Sequence, residues 1–159
     1  MDYKIEEIEL AGYIEKLGIN YPEGLCFFPE NIDSAKDKSD FIFTDSVSDL
    51  SKVFKQNNIN ISKLGGDSKL LRSRKNADFF APAIFFSLSL ISENPSIVSL
   101  SLSVLANHIT DFFKGSFSRK KVNLDIYVET SGKKKIQKIA YSGNVEGIEK
   151  LAEVIKSIK

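Results

Sequence analysis

The sequence is poor in the residues that build redox and metal chemistry. It has one cysteine, Cys26, one histidine, His108, and no tryptophan. A lone cysteine cannot form an internal disulfide, and a zinc site usually needs three or four cysteine or histidine ligands. The N-terminal stretch also lacks the basic start and apolar block of a secretory signal peptide. These absences predict a cytoplasmic protein that is neither disulfide-stabilised nor a zinc enzyme, and that has no cofactor.

Long uninterrupted apolar runs are also missing. Residues 79–113 come closest, but Glu93, Pro95 and several serines divide them, and a bilayer span needs about 20 predominantly apolar residues. A buried helical hairpin is therefore the favoured interpretation, with membrane insertion as a less favoured alternative. The candidate membrane or docking side chains of this segment are Phe85, Phe86, Leu100 and Leu102.

What the chain does contain is typical of one globular domain. Its 159 residues are 42% hydrophobic and 27% charged, which suits a single compact domain with one core. The net charge of +1 conceals a division, because twelve acidic and four basic residues precede position 51, whereas nine acidic and eighteen basic residues follow. This uneven distribution of charge is compatible with binding to an anionic partner, with self-association, or with neutralisation of the two charged halves by each other within one fold.

The first part of the chain, residues 1–62, is expected to be an acidic α/β half. Apolar residues at helical spacing predict a helix from Ile5 to Leu17, with Gly18 as its terminator. The apolar run Leu25–Phe28, closed by Pro29, predicts a buried strand. Residues 63–76 are expected to form a basic connector.

The apolar segment 77–115 has two interpretations. As a helical pair, one element carries Phe80, Ile84, Leu88 and Ile91 on a single face, and a second element runs from Pro95 to Gly115 with an apolar and a polar stripe. As a β-hairpin, 87–90 and 99–103 alternate serine with leucine. The helical stripes extend over about five turns of the second element, so the helical pair is favoured.

In the last part, residues 121–159, the spacing of the apolar residues changes from a helical period to alternation. Apolar and polar residues alternate from Val122 to Glu129, a returning strand is expected from Ile136 to Tyr141, and helical spacing resumes at Val145. The whole chain is therefore predicted to be a mixed α/β (α+β) fold. It is a single compact domain with a central apolar helical pair, a C-terminal β-hairpin and a terminal helix.

Basic side chains in the second half form the candidate interaction surface. Lysine and arginine clusters can contact an acidic protein surface or neutralise phosphates, but no nucleic-acid-binding motif accompanies them. Nucleic-acid binding is therefore an alternative that is not favoured. The residues of this surface are Lys114, Arg119, Lys120, Lys121, Lys133, Lys134 and Lys135.

Catalytic patterns are weak. His108 and Asp111 are three residues apart on the predicted second helix and could meet on one face, and Cys26 could complete a nucleophilic set only if the fold brought it close. Cys26 lies in an aromatic run, where a cysteine usually acts as a small core residue. The sequence therefore predicts no enzyme and no catalytic residues.

One resemblance concerns the C-terminal part, from about Ile97 to Lys159. The segments Val122–Val128 and Lys138–Ile148 resemble the effector-associated constant component domains of bacterial conflict systems, which place an apolar helix before two strands and a last helix. Gly143-Asn144 stands where those domains often have Gly-Asp. The resemblance implies a small non-enzymatic adaptor, an accessory component of a bacterial defence system, whose partner is another protein, with self-association as a further option.

Overall fold

A computed structural model of the chain describes residues 3–20, 22–65, 71–72, 79–114, 121–130 and 135–158. The helices are α1 Ala11–Lys16, α2 Ser46–Gln56, α3 Leu88–Glu93, α4 Ser96–Phe113 and α5 Glu146–Ser157, with a short 3-10 turn at Lys38–Asp40. The strands are β1 Tyr3–Ile8, β2 Leu25–Phe28, β3 Phe43–Thr44, β4 Ser62–Lys63, β5 Leu71–Arg72, β6 Phe79–Phe80, β7 Ala83–Phe86, β8 Val122–Glu129 and β9 Ile136–Gly143.

Seven of these strands form one mixed sheet. Its order is β1-β9-β8-β7-β2-β4, and β6 also pairs with β8, just before β7 does. The β1–β9, β8–β9 and β2–β7 pairs are antiparallel, whereas β7–β8 and β2–β4 are parallel. Strands β3 and β5 pair separately. The predicted mixed α and β fold class is confirmed.

Successive side chains along each strand point to opposite faces of the sheet, and the two faces differ in what they contact. The helical face carries Phe27, which stacks on Phe54 of α2 at 5.9 Å, and Tyr141, whose hydroxyl donates to the Asn144 carbonyl beside α5. Helix α4 contacts both α2 and α5 and completes this layer. The opposite face, here called the cavity face, carries Phe28 and Tyr127, whose rings lie 5.1 Å apart.

The apolar segment contains the predicted helical pair, but the pair begins later than expected. Residues Leu88–Glu93 and Ser96–Phe113 are helical, so the β-hairpin alternative is wrong. Residues 79–80 and 83–86 are strands, so the predicted shared helix face of Phe80, Ile84, Leu88 and Ile91 is also wrong. Strand β7 lies between β2 and β8 and is buried along its length, and such strands show no polar alternation that would distinguish them from a buried helix.

The predicted N-terminal helix from Ile5 to Leu17 is wrong in its first half. Residues 3–8 form strand β1, and only Ala11–Lys16 is helical. The register pairs Ile5 with Ile139 and Ile8 with Ile136 of β9. Because Ile5 and Ile8 are three residues apart, their spacing imitates a helical face, and only pairing with a distant strand resolves the ambiguity.

The C-terminal predictions are confirmed. Strands β8 and β9 pair antiparallel, with Ile126 opposite Ile139. Helix α5 buries its apolar stripe, including Ile148, Leu151 and Ile155. The predicted strand Leu25–Phe28 is also present and fully buried. Much of the predicted basic connector, residues 66–70 and 73–76, lies outside the described residues.

Candidate binding site

The predicted basic surface is only partly described. Lys114 follows α4, Lys121 precedes β8 and Lys135 precedes β9, and all three are exposed. The Lys135 ammonium forms an ion pair of 3.1 Å with Glu7 of β1. Arg119, Lys120, Lys133 and Lys134 lie outside the described residues.

Three of the four predicted membrane or docking side chains are core residues. Phe85 and Phe86 on β7 and Leu102 on α4 have no exposed surface, so they cannot contact a partner in this fold and that prediction is wrong for them. Leu100 is 44% exposed and stays a candidate. In the part of the chain that the structure describes, no helix combines the length and apolarity that crossing a bilayer requires.

Cys26 and His108 lie on opposite sides of the sheet. Cys26 alternates with Phe27 on β2 and therefore points to the cavity face, whereas His108 belongs to α4 on the helical face. Burial raises the pKa of the Cys26 thiol to about 12, with a smaller opposing contribution from a hydrogen bond to Ser62. A nucleophilic pair of these two residues is therefore not formed.

A cavity of about 260 Å³ opens on the cavity face, next to the edge strand β1. Its floor contains Leu10, Ile32 and Tyr127, which are buried, and its rim carries exposed carboxylates. The described residues that line it are Glu6, Ile8, Glu9, Leu10, Tyr13, Ile32, Asp33, Tyr127 and Lys138.

Strand register explains why these distant residues meet. Glu6 of β1 lies opposite Lys138 of β9, which in turn lies opposite Tyr127 of β8. Residues directly opposite each other in antiparallel strands have their Cβ atoms about 4.5–5.5 Å apart. A row of acid, base and phenol therefore crosses three strands, and the segments after β1 and β2 supply the remaining walls.

The cavity is acidic. Of the described residues that line it, Glu6, Glu9 and Asp33 are acidic and Lys138 alone is basic, with its ammonium group 5.9 Å from the centre of the Tyr127 ring. Across the described ranges, none of the three carboxylates forms an ion pair within 4.0 Å. Excess carboxylates around a concave surface favour a cationic ligand.

This environment shifts the pKa values of two neighbouring groups, Asp125 and Tyr127. Burial raises the pKa of Asp125 above its ordinary value, Lys138 opposes the shift, and the charges of Glu6 and Asp33 add to it. Burial also raises the pKa of the Tyr127 phenol, and the charge of Asp125 reinforces that shift. Tyr127 therefore stays a neutral hydroxyl that can donate or accept a hydrogen bond.

Among the described residues, no group of three or more histidine, cysteine, aspartate or glutamate side chains is arranged to hold a metal ion. The cavity instead combines carboxylates, one ammonium group, two tyrosines and apolar side chains. A second depression, of about 360 Å³, lies near the start of β2 and has Glu23 as its single charged lining residue. It therefore offers less specific recognition than the first.

Sequence reasoning missed this cavity completely. Its residues come from β1, α1, the segment after β2, β8 and β9, so no short motif contains them. The one available signal was the excess of acidic residues before position 51, which supplies all three rim carboxylates.

Comparison with known proteins identifies no relative. No protein-family model, no curated protein and no solved structure gives a significant match to this chain.

Proposed function

We propose that this protein is a non-enzymatic binding or adaptor module that binds an extended segment of another protein along the outer edge of β1. The observation that carries the proposal is the exposure of this strand. Residues 3–7 of β1 are all exposed, and within the described ranges no strand pairs with β1 on the side away from β9. An exposed edge strand offers unpaired backbone N–H and C=O groups to an added strand.

Side chains on β1 support this surface. Tyr3 and Ile5, on the helical face, are 40% and 41% exposed, although both are large and hydrophobic. Alternate residues of β1 point to the other face, where Glu6 and Ile8 line the cavity. A partner strand beside β1 could therefore make apolar contacts on one face and polar contacts on the other.

The opposite edge of the sheet is less suitable. It ends in β4, which has only two residues, Ser62 and Lys63. Very short edge strands are a common protection against unwanted strand pairing. The contrast between the two edges favours β1 as the place where a partner binds.

A non-enzymatic role is supported by the placement of the most reactive side chains. Cys26 and His108 are separated by the sheet, and the Cys26 thiol is buried. From the resemblance of the C-terminal part, we further propose that the partner is encoded beside this protein in a bacterial defence system. The gene neighbourhood supplies the candidate partners for the experiment.

The test is co-purification of the chain with proteins encoded next to it, comparing Ile5→Asp with Leu100→Asp. The two leucine-sized side chains are similarly exposed, at 41% and 44%, but one lies on β1 and the other on α4. We expect Ile5→Asp to reduce partner binding at least tenfold and Leu100→Asp to leave it unchanged. Circular dichroism confirms that both variants are folded.

Three results would contradict the proposal. Loss of binding with Leu100→Asp alone would move the surface to α4. Binding of no neighbouring protein would count against an adaptor role. A stable dimer in light scattering that Ile5→Asp dissociates would show that a second copy occupies the β1 edge instead.

A further inference from the structure

We propose that the acidic cavity beside β1 receives a basic side chain, arginine or lysine, from the polypeptide segment that pairs with β1. The inference rests on the proposed function and specifies the chemistry of the partner. It predicts that a positive charge in the bound segment decides whether the segment binds.

Charge complementarity is the first support. Glu6, Glu9 and Asp33 surround the opening, and Lys138 is the one basic side chain among the described residues that lines it. None of the three carboxylates has an ion-pair partner within 4.0 Å in the described part of the chain. A bound cation would supply this missing partner through charge-assisted hydrogen bonds.

Tyr127 is an independent support. It lines the cavity and is only 5% exposed, yet its hydroxyl has no hydrogen-bonding partner among the described residues. Among the described residues Ser101 Oγ is the one fully buried side-chain polar atom without a partner, so the Tyr127 hydroxyl is open to the cavity, where a ligand can reach it. A guanidinium or ammonium group can donate to the Tyr127 oxygen.

The apolar part of the lining suits the stem of a long basic side chain. Ile8, Leu10 and Ile32 provide aliphatic surface, and Tyr13 adds an aromatic ring. Lysine and arginine pack their methylene groups on apolar surface and keep the charged end near polar groups. The volume of about 260 Å³ is below the roughly 300–1,000 Å³ of pockets for drug-sized ligands.

Strand geometry connects this cavity to the β1 edge. Glu6 and Ile8 belong to β1 itself, so a strand added to its outer edge would lie about 4.8 Å from them. Every second side chain of that strand would point to the cavity face. A basic residue opposite Glu6 could therefore extend across β1 toward Lys138 and Tyr127.

The experiment titrates ¹⁵N-labelled protein with terminally blocked five-residue peptides Thr-Val-Arg-Val-Thr, in which the central residue is arginine, lysine or the neutral isostere citrulline. N-acetyl-arginine amide serves as a probe without a peptide strand. We expect the arginine and lysine peptides to shift amide signals of β1 and of Tyr127 and Lys138. The citrulline peptide should bind at least about tenfold more weakly, because it lacks the charge.

Matched variants locate the effect. Glu6→Gln and Asp33→Asn should each weaken the arginine peptide several-fold, whereas Glu149→Gln, which removes an exposed carboxylate from α5, should not. Tyr127→Phe should weaken the same peptide while the protein stays folded. These variants preserve side-chain size, so a loss of binding reports charge or hydrogen bonding.

The outcomes separate the two proposals. Equal binding of arginine and citrulline peptides at β1 would overturn the inference and leave the proposed function intact. If N-acetyl-arginine amide binds in the cavity but no peptide shifts the signals of β1, the cavity binds a free cation and the basic side chain does not come from a polypeptide segment paired with β1. If no peptide shifts the cavity signals, the inference is wrong.

Discussion

At the scale of single residues, Asp125 shows how the cavity face is charged. Its carboxylate is half-buried on β8, and the charges of Glu6 and Asp33 act on it from β1 and from the segment after β2. Lys138 is the group that offsets them. Because burial and like charges together exceed this attraction, the ionised form of Asp125 is disfavoured in the folded protein.

Replacing Asp125 with asparagine should therefore stabilise the protein at neutral pH. The pKa of Asp125 is higher in the folded chain than in the unfolded chain, where it has the ordinary value of about 3.9. The free energy of unfolding therefore falls as the pH rises from this ordinary pKa through the raised pKa of the folded chain. Asp125→Asn removes this loss. Urea unfolding at several pH values should show a higher midpoint for the variant at pH 7 and convergence with the parent below about pH 4.

The control for this change is Asp111→Asn, which removes an exposed carboxylate from α4. Because exposed substitutions usually change stability little, this variant should leave the urea midpoint at pH 7 nearly unchanged. If Asp125→Asn is instead less stable than the parent at pH 7, the attraction by Lys138 outweighs burial and our account of this group is wrong.

At the scale of elements, one tyrosine fixes the junction between β9 and α5. The Tyr141 hydroxyl donates to the Asn144 carbonyl at 2.6 Å, and its ring is almost completely buried. The backbone of Gly147, in the first turn of α5, lies directly against this hydroxyl. The terminal helix can therefore reach the sheet only because position 147 has no side chain.

Gly147→Ala tests this close approach. A Cβ at position 147 would overlap the Tyr141 hydroxyl, so the ring must move within the core and its hydrogen bond is disturbed. We expect a loss of about 1–3 kcal/mol in the free energy of unfolding. Thermal or urea unfolding measures it.

Gly12→Ala is the matched control, because a Cβ at Gly12 of α1 meets no atom within 4 Å. Alanine forms helices better than glycine, so this variant should be neutral or more stable by up to about 1 kcal/mol. Equal behaviour of the two variants would contradict the packing role of Gly147.

At the scale of the whole molecule, the acidic and basic parts of the chain share one sheet. Strand β1 of the acidic part pairs with β9, and β2 pairs with β7. The ion pair between Glu7 and Lys135 joins opposite charges from the two parts. Part of the charge division is therefore neutralised within the fold, which was one of the options that the sequence left open.

This interleaving predicts that the two parts unfold together. Among the described residues, the strands before position 51 pair only with strands that follow it, and β1 and β2 cover two sides of the β7-β8-β9 pairing, so urea unfolding should give one cooperative transition. Far-ultraviolet circular dichroism and tyrosine fluorescence should report the same midpoint within error. Two separated transitions would show that residues before and after the connector fold independently.

The sequence by itself determined the elements whose pattern is local. The alternation in Val122–Glu129 and the helical stripes of α4 and α5 each lie within one element, so periodicity predicts them. The mixed fold class followed from the order of these elements. The excess of acidic residues before position 51 also indicated that this half carries negative charge, but it did not indicate where in the fold that charge lies.

Tertiary structure decided what depends on distant neighbours. Residues 3–8 and 83–86 are strands because β9, β2 and β8 supply their hydrogen bonds, which no local pattern records. The same pairing removes Phe85 and Phe86 from the surface and brings Glu6, Lys138 and Tyr127 into one row. The cavity beside β1 is thus a product of strand register, since its residues are separated in sequence and meet only when the sheet forms.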